Sequence, residues 1–116
     1  MKNSTIIISD FYKIQKEFCY INSINLYCNL SKYEDLNYGL DIVLYNNDFE
    51  NNSHKLLIKF YGVKNIEFGN LNMLVNSFIN IIDISKDQLE KINYKVVEDE
   101  NNLFSFYCKS FEFVVI

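Results

Sequence analysis

Leu103-Phe104-Ser105-Phe106-Tyr107-Cys108-Lys109-Ser110-Phe111-Glu112-Phe113-Val114-Val115 alternates large apolar side chains with small or polar ones, as a strand with one buried face does. Phe104, Phe106 and Cys108 share one parity, whereas Phe111, Phe113 and Val115 continue the pattern on the other. A regular strand cannot change parity, so the spacing predicts a bulge near Lys109-Ser110. Just upstream, Tyr94-Lys95-Val96-Val97-Glu98-Asp99 also alternates, and Glu100-Asn101-Asn102 is a polar turn between the two runs. Together they read as an antiparallel hairpin.

Working outward, Lys55 to Phe68 reads as one long, bent strand, with Gly62 and Gly69 as bulge and terminator. Ile79 to Ile84 can pair as a strand. Ser85-Lys86-Asp87-Gln88 has capping-box spacing, which predicts a short helix to about Lys91. Leu71, Leu74, Val75 and Phe78 have helical spacing diluted by asparagines, and this segment stays ambiguous. Ile24, Leu26, Cys28 and Leu30, then Tyr38, Leu40, Ile42 and Leu44, give two half-buried strands around a turn at Tyr33 to Asn37. Phe11, Ile14 and Phe18 fall at i, i+3 and i+7 behind a Ser9 or Asp10 cap, a helix of two to three turns after a brief apolar run at Thr5 to Ile8. The fold class is α+β: mainly antiparallel sheet, sandwich-like or strongly bent, with one or two short helices in a single domain over residues 1–116.

The 116 residues include no Arg, Ala, Pro or Trp, and 17 are Asn; an AT-rich genome is the simplest account. Eleven Lys against fifteen acids gives −4, shared equally between the halves on either side of residue 58, with no basic tail. Direct nucleic-acid binding is disfavoured, because its affinity comes mostly from cations on phosphates and Arg is the usual bidentate reader. Ile6-Ile7-Ile8 is too short for a signal-peptide core or a membrane span. The expected location is the cytoplasm, with no membrane partner.

Cys19, Cys28 and Cys108 contain no CxxC pair and read as reduced, small apolar core residues. His54, the single histidine, lies near Asp48 and Glu50 in the polar run from Asn46. A His–carboxylate site is conceivable, but without a second imidazole this reads as a surface loop. No nucleophile elbow, paired zinc motif or glycine-rich phosphate loop exists among three glycines. No enzyme, cofactor or metal is expected. Glu34-Asp35 and Glu98-Asp99-Glu100 lie at turns beside Tyr33, Tyr38 and Tyr94. Such a surface suits a Lys- or Arg-rich protein, although acidic turns also keep sheet edges soluble.

Leu57 to Ile66, Ile82 to Ser85, Ile92 to Glu100 and Phe104 to Cys108 together resemble small bacterial immunity proteins, those encoded beside polymorphic or contact-dependent inhibition toxins. The resemblance spans roughly residues 55 to 113. It implies a non-catalytic cytoplasmic protein that binds and neutralises a cognate toxin domain, often a nuclease, by occluding its active site. It transfers no site residue, since such interfaces vary with the toxin. The residues expected to meet the partner are therefore those of the acidic turns: Glu34, Asp35, Tyr94, Glu98, Asp99 and Glu100. The alternative is a non-catalytic β-rich module, structural or small-ligand-binding, with a Phe/Tyr-lined cavity between sheet and helix.

Overall fold

The computed structural model describes residues 4–29, 37–47, 54–69, 77–87 and 92–116. They form one helix, α1 (Ser4–Gln15), and seven strands: β1 (Tyr20–Asn29), β2 (Asn37–Tyr45), β3 (Lys55–Phe68), β4 (Ile79–Asp83), β5 (Tyr94–Glu98), β6 (Phe104–Cys108) and β7 (Ser110–Val115). All pairings are antiparallel, in the order β1-β2-β3-β6-β5-β4, with β7 also on β3. The result is a mostly antiparallel sheet with one short helix.

β3 holds the sheet together because it serves both halves. Its first part lies between β2 and β7, and its second part pairs with β6. β6 and β7 run along the same side of β3, interrupted only at Lys109. Opposite that break stands Gly62, whose φ of 65° places it in the left-handed region. The β2–β3 register skips a residue there, from Gly39↔Tyr61 to Tyr38↔Val63. Asn65, also at positive φ, accompanies a second shift against β6. These bulges change parity, so Leu56, Ile58 and Phe60 are buried on even numbers and Val63 on an odd one. The expected breaks at Gly62 and at Lys109-Ser110 are both present.

One apolar cluster collects the inward side chains of both halves. Phe60 and Phe106 meet edge to face at 4.9 Å, and Tyr94 on β5 meets Phe111 on β7 at 5.1 Å. α1 adds Phe11, which is fully buried and touches Phe111 and Phe113. The helix begins at Ser4 rather than near Asp10. The Ile-rich run favours a strand by propensity, but Ile8 lies one turn above Phe11 on the face that packs on the core, and burial overrides propensity.

α1 also seals an edge. The Gln15 side chain is buried and mimics a neighbouring strand, its Nε2 donating to Ile79 O at 2.9 Å while its Oε1 accepts from Ile79 N at 3.1 Å. Tyr12 accepts from Ile81 N at 3.0 Å, with Ile81 O and Asn80 Oδ1 within reach of its proton. Ser77 N donates to Cys19 O. Alternate backbone groups along the outer side of β4 are thus satisfied without another strand.

Beyond β4 a short 3-10 turn spans Ser85–Asp87; the remainder of the expected second helix, the ambiguous segment at 70–76 and the turn at 33–36 lie outside the described residues.

Candidate partner-binding face

The residues expected to meet a partner have three fates. Glu34 and Asp35 lie outside the described residues. Tyr94 is buried against Phe111. Glu98 is fully buried, and its carboxylate accepts from Glu100 N (2.7 Å), Asn101 N (2.8 Å), Phe78 N (3.0 Å) and Leu103 N (3.3 Å). It organises the β5–β6 turn from within, so neither Tyr94 nor Glu98 offers its side chain to the surface. Asp99 and Glu100 remain exposed at the turn, with Asp99 accepting from Asn80 Nδ2 at 3.0 Å.

A different surface has the character sought. Side chains alternate across a sheet, and in the half built from β1, β2, β3 and β7 the even positions of β2 and β3 face the core. The odd positions face away from it, and register aligns them in rows. Tyr27, Gly39, Tyr61 and Ser110 form one row; Asn25, Asp41, Lys59 and Glu112 the next; Ser23, Val43, Leu57 and Val114 the third; Tyr20, Tyr45 and Lys55 the fourth. Among the described residues, the helix packs on the opposite side. This outward face therefore carries an apolar band and a charged row, Lys59 between Asp41 and Glu112, between two tyrosine-bearing margins. Apolar centres and Tyr-rich surroundings are what protein interfaces have.

The two tyrosines of the first row are held by carboxylates. Tyr61 OH donates to Glu112 Oε1, and Tyr27 OH donates to Asp41 Oδ1 at 3.3 Å. The Glu112 hydrogen bond, then burial and negative charge, pushes the Tyr61 phenol up to about 12. Burial, with Asp41 beside it, also raises Tyr27. Gly39 is the reason Tyr27 can lie flat, because a Cβ there would overlap the Tyr27 ring. At the far margin Lys55 Nζ stands 5.3 Å from the Tyr45 ring centroid. The parity of β2 and β3 is legible in the sequence, but the alignment of four strands into rows is not.

Elsewhere the chemistry is sparse. Cys108 is buried, which pushes its thiol up to about 12. Cys19 is half-buried, whereas Cys28 is exposed, contrary to its expected place in the core; it lies where the inner face of β1 runs past the packed interior. His54 is exposed. Among the described residues, no three His, Cys, Asp or Glu side chains are grouped to hold a metal ion, and no helix is long and apolar enough to cross a membrane. A cleft of about 500 Å³ is lined by Leu26, Tyr38 and Gly62 to Ile66. No residue of α1 borders it, so it is not the aromatic cavity between sheet and helix that the ligand-binding alternative requires.

A family model described as Immunity protein PIM8 matches residues 4–114. No curated protein and no solved structure matches the chain.

Proposed function

Because the chain belongs to the PIM8 immunity-protein family, we propose that it neutralises a cognate bacterial toxin domain by laying the outward face of β1, β2, β3 and β7 over that domain's active site. The match over residues 4–114 carries the immunity reading; the Tyr–carboxylate rows support the choice of face. Such an encounter needs no catalysis, cofactor or metal from this chain. A nuclease is the toxin class that suits the face best. Its groove carries cations that hold phosphate; on this face Asp41 and Glu112 flank Lys59, two carboxylates against one lysine, and the chain as a whole carries −4. The partner is then a toxin of a polymorphic or contact-dependent inhibition system, met in the cytoplasm where its substrate lies. Asp99 and Glu100 form a second, smaller acidic site.

The test is titration of the toxin domain encoded beside this gene. Activity should fall stoichiometrically, and the toxin's own substrate should compete. Tyr61→Ala should weaken binding by about 30-fold, the effect of a residue worth about 2 kcal/mol at an interface, with Asp99→Lys far milder. A complex that retains full toxin activity would exclude occlusion. Loss at Asp99 with no effect at Tyr61 would move the interface to the turn.

A further inference from the structure

The sheet treats its edges differently. β4 is sealed by Gln15, Tyr12 and Cys19. The outer edge of β7 has no ladder partner among the described residues either, but β7 is six residues long and carries Glu112. β1, by contrast, is ten residues long, and among the described residues its one strand ladder is the one to β2. It contains no charge, proline or glycine. Natural edge strands are usually blunted by such residues or by a covering element, because an open edge is a template for another strand.

We propose that the outer edge of β1 receives an extended segment of the toxin domain as an added antiparallel or parallel strand, with basic side chains facing outward and aliphatic ones inward. This rests on the toxin-binding reading and adds the geometry of capture. Side-chain demands follow from the rows. Facing outward, an added residue opposite Asn25 stands two strands from Asp41, about 10 Å at the usual strand spacing. A long cation can cross the short Asn25 to reach that carboxylate. Facing inward, the neighbour is Leu26, which is 43% exposed and lacks a lid among the described residues. Main-chain hydrogen bonds would supply affinity, and the alternating side chains would supply selectivity. A second copy of this chain is the poorer occupant, since each carries −4.

Residue-resolved amide exchange of this protein, alone and with the neighbouring toxin domain, tests the proposal. In the free protein, alternate amides of residues 21–29 should exchange fast, because only every second N–H points to β2. With free toxin at a hundred times Kd, those fast amides should slow on the order of 100-fold, and Lys→Ala or Arg→Ala changes in the toxin's protected segment should weaken binding. If calorimetry shows binding while the β1 amides stay fast, the edge is not used, although the immunity reading stands. A toxin that does not bind overturns both. Concentration-dependent protection of β1 without toxin assigns the edge to a second copy and overturns the proposal.

Discussion

Removing the Glu98 carboxylate strips an acceptor from the N–H groups of Phe78, Glu100, Asn101 and Leu103. Buried donors left unpaired cost about 1–3 kcal/mol each, less where water enters. Glu98→Ala should therefore destabilise the fold by about 3 kcal/mol or more, against about 0.5 kcal/mol or less for exposed Glu100→Ala; denaturant midpoints would separate them. Parity already placed Glu98 with Tyr94 and Val96. Its acidic neighbours and polar turn concealed that, since a buried carboxylate needs partners that a sequence does not display. Tyr61 gives a pH signature. The folded state holds its proton up to about 12, against about 10 in an unfolded chain. The folded state thus binds more protons between those values, so this contribution to stability is whole below pH 10 and drains away as pH rises towards 12. Glu112→Gln should bring the phenol back towards 10, visible as an earlier phenolate absorbance step.

Two glycines show how elements depend on single atoms in opposite ways. At Gly62 the positive φ and the Lys109 Cβ, 2.9 Å from where an alanine methyl would sit, make Gly62→Ala a strain on β3 itself. About 1–2 kcal/mol is expected from the left-handed backbone, read as a lower melting temperature. At Gly39 the obstacle is the end of the Tyr27 side chain, which can swing away. Gly39→Ala should leave the melt nearly unchanged but break the Tyr27–Asp41 hydrogen bond and weaken toxin binding. The bounds of β3 and the break at Lys109 were legible because alternation and its interruption are local signals. The role of Tyr12 and Gln15 was not. Their partners Ile81 and Ile79 lie 69 and 64 positions away, and nothing local says which strand will end at an edge.

For the whole molecule, charge is a matter of arrangement more than of total. The acidic runs visible in the sequence are not the carboxylates of the outward face, which come from Asp41 on β2 and Glu112 on β7 with Lys59 of β3 between them. The register of β3 brings them onto one face. Asp41→Lys with Glu112→Lys takes the net charge from −4 to 0, each reversal adding two. The association rate with the toxin should fall several-fold at low salt, and the gap should narrow as ionic strength shortens the Debye length to about 8 Å or below. A stopped-flow salt series would show it. Overall charge in the sequence permitted a basic partner; the surface that would meet it required the fold.

The seating of β3 has a consequence for the timing of protection. Its neighbours β6 and β7 are translated after β1 to β5, and they supply Phe106 and Phe111 against Phe60. A nascent chain that has emerged only through β5 has its middle strand bare on one side. Non-local pairing of this kind is rewarded only after the long loop has closed, so protection should arrive in one step with β7. A cell making toxin and antidote together would need chains that reach β7, because a product truncated before it should confer no protection.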